Sequence, residues 1–434
     1  MSTLFERITI LDKYGVVQPD HYVLVKGSRI AYVGKESPGD FADTTVSGRD
    51  KLLMPAFYNA HSHSVMSLLR GYGENMVLDD WLNKRIFPFE AQLDKEAAYW
   101  GAMLHMAESF RNGIASSTDM YNFCEEIVRA AADTGAKINM GRALLNFDED
   151  VAMRDMDGFK EMDSMVKIAH GAYDGRIRVE ASLHAEYTST ERLARELAEY
   201  AATEGLHMHV HVSETKAEHE GCKERRGGRT PVRYLYDVGL FDVMTTAAHC
   251  VWIEREDVAL LKEKDVTVAT CPVSNIKLAS GLCPVPSLLR LGVNVALGTD
   301  SVASNNNLDM IEEMKFMSLL QKGWRGDPTL LSPREAVNAA TFAGAAAQGR
   351  SDCGSLSEGY RADLIVLDMH KPEMQPVHDV YNNLVYAASG RDVYMTMIDG
   401  KVVYKDGAYL TLDIDRVLYE AAAATKRILG KLDE

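Results

Sequence analysis

The chain has 434 residues, 46% of them hydrophobic, which is enough to bury one large core and a smaller second one. Lys and Arg total 47 against 63 Asp and Glu, a net charge of -16, and the largest basic cluster is Lys223-Glu224-Arg225-Arg226, so nucleic acid is excluded as the expected partner. No run of roughly 18 apolar residues suggests a membrane span, no export signal opens the chain, and the six cysteines lack CxxC spacing, so a cytoplasmic protein with reduced thiols is expected.

Taken in chain order, the first elements are short alternating strands at 8–11, 22–26 and 29–33, separated by Gly and Asp turns. Eight β-rich runs follow at 52–63, 114–120, 136–145, 176–184, 207–214, 245–251, 266–272 and 293–300, each ending in polar residues. Helical periodicity fills the intervals, for instance at 97–111, 190–203, 256–264 and 308–320. Short strands resume at 364–368, 393–398 and 401–404, and 413–432 reads as a terminal helix. The pattern predicts an α/β fold: a (β/α)8 TIM barrel over 56–355, flanked by an accessory β-sandwich from 1–55 and from 356–434, which also carries the helix.

Barrel active sites lie at the carboxyl ends of the strands, and the chemistry-bearing residues stand there. His61 and His63, at i and i+2 of one strand, point to the same face. His211 with Glu214, then His249, then Asp300 follow at the ends of later runs. These imidazoles and a carboxylate suit Zn2+ or a similar first-row ion, while a glutamate just past the strand is placed to carry protons. His207 and His209 share a face with His211 but sit deeper, and read as packed interior residues. No strand-end lysine offers a bridge to a second ion, so one metal per chain is expected.

The strings Asn59-Ala60-His61-Ser62-His63, His211-Val212-Ser213-Glu214-Thr215, Ala248-His249-Cys250, Cys271-Pro272-Val273-Ser274-Asn275-Ile276-Lys277-Leu278, Leu297-Gly298-Thr299-Asp300-Ser301-Val302-Ala303-Ser304-Asn305-Asn306 and Gly359-Tyr360-Arg361-Ala362-Asp363-Leu364 resemble the amidohydrolase superfamily. The resemblance runs along essentially the whole chain, and is to the branch of chlorohydrolases and of methylthioadenosine and adenosylhomocysteine deaminases. It implies Zn2+, or in the cell Fe2+ or Mn2+, on His61, His63, His211 and Asp300. It further implies that Asp300 accepts a proton from water, His249 orients that water, and Glu214 protonates a ring nitrogen. Trp81, Glu90, Arg142, Arg154 and His184 match positions that line the nucleoside pocket in this branch, with Glu214 and Asp300 also meeting the substrate. The implied reaction is hydrolytic deamination of an adenine nucleoside: 5-methylthioadenosine, S-adenosylhomocysteine, 5'-deoxyadenosine or adenosine.

One departure stands out. The branch usually shows His-x-Pro-Tyr where this chain has His184-Ala185-Glu186-Tyr187, an added carboxylate expected near the pocket. Deamination of a free base such as guanine, cytosine or an 8-oxopurine, triazine chlorohydrolysis, and a metal-free binding barrel remain the alternatives, and a homo-oligomer stays open.

Overall fold

The structure is a computed structural model and describes residues 2–39, 41–76 and 78–432. The amino-terminal strands are β1 (Ser2–Leu11), β2 (Val17–Lys26), β3 (Arg29–Gly34), β4 (Thr44–Ser47) and β5 (Lys51–Pro55). The barrel strands are β6 (Phe57–Ser62), β7 (Ile114–Tyr121), β8 (Lys137–Leu144), β9 (Ile177–Ala185), β10 (Met208–Val212), β11 (Thr245–His249), β12 (Thr267–Thr270) and β13 (Val295–Leu297). Beyond the barrel come β14 (Leu364–Asp368), β15 (Val393–Ile398), β16 (Lys401–Lys405) and β17 (Ala408–Tyr409), and the helix Ile414–Leu432.

The apolar run at 52–63, expected as one strand, is two. β5 pairs with β1 and β14 in the accessory sheet, whereas β6 pairs with β7 in the barrel. The switch falls at Pro55, whose ring fixes φ and which has no N–H to extend a ladder. Ala56 is the hinge: its N–H goes to Asp363 O in the accessory layer at 2.9 Å, and that of Phe57 goes to Gly113 O at 2.9 Å beside β7.

The eight barrel strands run parallel in sequence order, β6 to β13. All residues of β6, β7, β10, β11, β12 and β13 are buried, as strands covered on both faces must be. The barrel closes through the parallel bridge Ser62–Asp300, where Asp300 N donates to His61 O at 3.0 Å. Asn59 reinforces the seam: its Nδ2 donates to Thr299 Oγ1 at 2.7 Å and its Oδ1 accepts from Thr299 N at 3.0 Å. Gly298 permits the approach, since a Cβ there would come within 2.8 Å of His61 Cβ and 3.0 Å of Cys271 Sγ.

The accessory strands were expected as a sandwich and form one continuous sheet in the order β17-β16-β15-β14-β5-β1-β2-β3, with β4 beside β1. Phe5, Ile8, Val25, Leu53, Val366 and Met397, drawn from both chain ends, share a single apolar core. Beneath the barrel, Lys137 of β8 is buried against Asp363, and its Nζ lies 2.8 Å from Asp399 Oδ1. Asp363 also accepts from Tyr58 OH of β6 at 2.5 Å and from Asp399 N at 2.8 Å, so one carboxylate holds barrel and sheet together. All six cysteines are buried and unpaired. No helix among the described residues is long and apolar enough to cross a membrane.

Candidate active site

The candidate residues converge where the strands end. Ser213, His249, Cys250 and Asp300 all take positive φ, between 48° and 71°, a region costly for residues with a Cβ. These four residues, at the ends of three barrel strands, mark where the chain is bent to aim side chains inward, as strained backbone at functional sites often is.

Hydrogen bonds fix the tautomers. His63 Nδ1 lies 2.6 Å from Met120 O and His211 Nδ1 lies 2.6 Å from His184 O. A carbonyl only accepts, so each Nδ1 carries the proton and each Nε2 keeps a lone pair. His61 is fully buried and its Nε2 has no hydrogen-bond partner. The ligand atoms of His61, His63 and His211 fall within 4.8 Å of one another, as do those of His61, His249 and Asp300. Burial and the neighbouring imidazoles hold His61 and His211 well below the ordinary histidine range, hence neutral. His63 Nε2 stands 3.2 Å from Asp300 Oδ1. Burial lowers His63, but the bond to Asp300 outweighs it and lifts the ring to about 9. A proton there does what a cation would do, neutralising the carboxylate. Asp300 Oδ2 is held by the hydroxyls of Ser274 and Ser304 at 2.5 and 3.0 Å, while Oδ1 accepts from Ser301 N at 2.8 Å and faces His63. The neutral imidazoles of His61 and His211, the proton that His63 holds against Asp300 in place of a cation, an orphaned buried nitrogen and an oriented carboxylate fit a divalent metal ion.

Glu214 leaves β10 on a loop pinned by Glu218, whose carboxylate accepts from Ser213 N at 2.8 Å and Glu214 N at 2.7 Å. Glu218 in turn donates its own N–H to Thr215 Oγ1 at 3.1 Å, capping the helix Lys216–Arg225. The Glu214 carboxylate faces the cavity 3.8 Å from His249 Nε2, and burial raises it above the usual carboxylate range. His249 Nδ1 is 2.9 Å from Asn275 Oδ1, which turns its Nε2 toward Glu214. Glu218, Ser274, Ser304 and Asn275 were not singled out from sequence. Glu218 carried the Thr215-x-x-Glu218 spacing of a capping box, and Ser274, Asn275 and Ser304 stood in the resembling strings without a role of their own.

One cavity joins these groups to Trp81, Glu90 and His184 on its wall. Glu90 accepts from Tyr121 OH at 2.5 Å, and burial raises its pKa. Arg142 and Arg154 are not on that wall. Arg142 Nε donates to Glu161 Oε2 at 2.8 Å in an adjoining cleft that meets the cavity at Glu90 and Asn122, and Arg154 is exposed on the turn Met153–Asp155.

Glu186 corrects the expectation drawn from sequence. Its carboxylate is wholly buried and accepts from Arg225 Nη2 at 2.6 Å and Arg226 Nε at 2.8 Å, away from the cavity wall. Neighbouring Tyr187 takes the place on the wall.

A closed parallel barrel with histidines, an aspartate and a glutamate at its strand ends is the architecture of a metal-dependent hydrolase, and the sequence agrees. The amidohydrolase family profile matches residues 52–403, and the chain belongs to that family. It is 39% identical over 429 residues to a 5-methylthioadenosine/S-adenosylhomocysteine deaminase of Moorella thermoacetica, covering 98% of both chains. It is 40% identical over 430 residues to a 5'-deoxyadenosine deaminase of Methanothermobacter thermautotrophicus, covering 99% of both. Among solved structures, an adenosine deaminase from Xanthomonas campestris with bound zinc superposes with a TM-score of 0.94 at 31% identity, over 99% of this chain and 98% of that one.

Proposed function

We propose that the chain is a zinc-dependent aminohydrolase, one ion per chain, that converts an adenine nucleoside and water to the hypoxanthine nucleoside and ammonia. The observation that carries this is the pair of clusters that share His61, one with His63 and His211 and one with His249 and Asp300, with Glu214 facing the same cavity as His63, His211, His249 and Asp300. The deaminase names of relatives near 40% identity favour a nucleoside substrate over the alternatives.

The roles follow from the geometry. His61, His63, His211 and Asp300 would hold the ion, which supplies Lewis acidity that makes water a nucleophile near neutral pH. Asp300 Oδ1 takes the proton of the attacking water, its other oxygen being tied to Ser274 and Ser304. His249, steadied by Asn275, orients that water. Glu214, whose pKa burial raises, protonates the ring nitrogen next to the amino-bearing carbon, and the amino group leaves as ammonia. Trp81 offers an apolar face to the base, His184 a polar edge, and Glu90 an acceptor for ribose hydroxyls. Arg142, in the cleft beyond Glu90, is placed for the far end of a long substrate, and Arg154 lies farther out.

Ammonia release from adenosine, 5'-deoxyadenosine, methylthioadenosine, adenosylhomocysteine, guanine and cytosine tests the reading. Turnover of adenine nucleosides alone is expected. Turnover of a free base, with the nucleosides inert, overturns it.

A further inference from the structure

His63 and His211 are oriented by backbone carbonyls, which can never act as donors. His61 is oriented by another imidazole: its Nδ1 lies 2.9 Å from His209 Nε2, the two rings stacked within 10°. An imidazole pair with one proton in the bond between the rings has two arrangements. In the first, His61 Nδ1–H donates and His61 Nε2 keeps its lone pair. In the second, His209 Nε2–H donates, and the proton of His61 sits on Nε2, where a metal would bind. Two of the three histidine ligands therefore have a fixed tautomer, and the third does not settle its own.

The choice is made farther down the barrel. His209 Nδ1 faces Glu180 Oε2 at 3.6 Å. The other oxygen, Glu180 Oε1, accepts from Asn139 Nδ2 at 2.6 Å. Asn139 cannot flip, because its Oδ1 accepts from Arg350 Nη2 at 2.9 Å and a guanidinium has only donors, while its Nδ2 also donates to Gln348 O at 3.1 Å. Arg350 therefore orients Asn139, and Asn139 donates to Glu180. Glu180 Oε2 and His209 Nδ1 are both buried without a hydrogen-bond partner, and at 3.6 Å, beyond hydrogen-bond length, the carboxylate, an acceptor only, favours the proton of His209 on the facing Nδ1. With that proton placed, His209 Nε2 must accept, and His61 must donate. His61, His209, Asn139, Glu180 and Arg350 are all at most 3% exposed, so solvent is not at hand to reverse the order.

We propose that His209 and Glu180 are positioning residues that lock His61 in its metal-binding tautomer. The inference rests on the reading of His61 as a ligand and adds two residues that touch neither metal nor substrate.

The test is zinc affinity of the full chain, stripped and reloaded in competition with a chelator of known strength. In His209→Gln the amide oxygen takes the position of the imidazole Nε2 and accepts from His61, while its NH2 faces Glu180. His209→Met has similar bulk and no comparable acceptor. Glu180→Gln, its oxygen claimed by Asn139, turns an NH2 toward His209 and reverses the chain. Loss of an outer partner to a ligand weakens metal binding by about 10 to 100 fold, which is the effect expected for His209→Met and Glu180→Gln, with His209→Gln within about threefold of wild type. Nitrogen-15 spectra of histidine-labelled, metal-free protein should show His61 protonated on Nδ1 in the wild type and on Nε2 in Glu180→Gln. Equal affinities for His209→Gln and His209→Met overturn the proposal even if Glu180→Gln fails to fold. A wild type that takes up no metal overturns instead the reading of the centre.

Discussion

Replacing Glu186 by glutamine separates two roles for this residue: a charge felt by the substrate, or an internal anchor. In the structure the carboxylate is sealed from solvent and takes two guanidinium hydrogen bonds, at 2.6 and 2.8 Å. A hydrogen bond to a charged group contributes about 1.5 to 3 kcal/mol, so the pair sets an upper range of about 3 to 6 kcal/mol. Two features lower it. The side chains of Arg225 and Arg226 are 46% and 22% exposed and regain water when released, and the glutamine oxygen still serves one of them. A loss of about 2 to 3 kcal/mol in urea unfolding of the metal-loaded protein is therefore expected. Selectivity should not follow. Seen from the cavity, a carboxylate held against two guanidiniums is a compact group of mixed sign, whose field falls off faster than that of a lone charge. The ratio of kcat/KM for adenosylhomocysteine to that for methylthioadenosine should stay within about twofold, a change of under 0.5 kcal/mol at about 1.4 kcal/mol per decade. Unchanged stability together with a tenfold gain toward the charged tail would refute the anchor and restore the carboxylate to the pocket.

Glu214→Gln should keep its metal by elemental analysis while turnover drops by about 10^2 to 10^4, the usual contribution of a general acid or base; lost metal, or near-normal turnover, excludes the role. His105 gives a pH dependence of stability. Burial holds this ring down to about 3, with Ser117 Oγ at 3.3 Å, while the unfolded chain takes its proton near about 6.5. Below the unfolded value the unfolded state binds a proton that the native ring refuses, so stability falls as pH falls, by about 2 kcal/mol between about pH 8 and pH 5. In His105→Gln that part of the acid loss should vanish from the difference between urea midpoints, and an unaltered acid loss contradicts it.

The barrel was legible because its strands are short apolar runs that give way to polar residues, and each of the eight runs read from sequence overlaps one barrel strand. The break within 52–63 was harder to read: Pro55 interrupts an apolar stretch, but only the partners, Asp363 on one side and Gly113 on the other, reveal two sheets. The convergence of His61, His63, His211 and Asp300 was readable by position, since strand ends of a barrel face one mouth. What sequence could not supply was the direction of a side chain after a turn. Glu186 and Glu214 are both glutamates just beyond barrel strands, yet one turns outward to two arginines and the other inward to His249. His209 was read as packed interior, and it is packed, but nothing in the residues told that its partner would be His61.

The passage from β5 to β6 leaves no slack: a single residue, Ala56, separates the last pair of the accessory sheet from the first pair of the barrel. Five residues past that junction stands His61. The outer sheet thus works as a mount for the strand that carries the first two histidines, and the carboxylate of Asp363, buried between Lys137 and Tyr58, fastens the mount from below. Residues from both ends of the described chain build it, so the barrel cannot be trimmed to the face at its strand ends without unseating that strand. A designer wishing to graft this centre elsewhere would have to carry the outer strands along, or find another way to fix the height of one strand relative to its neighbours.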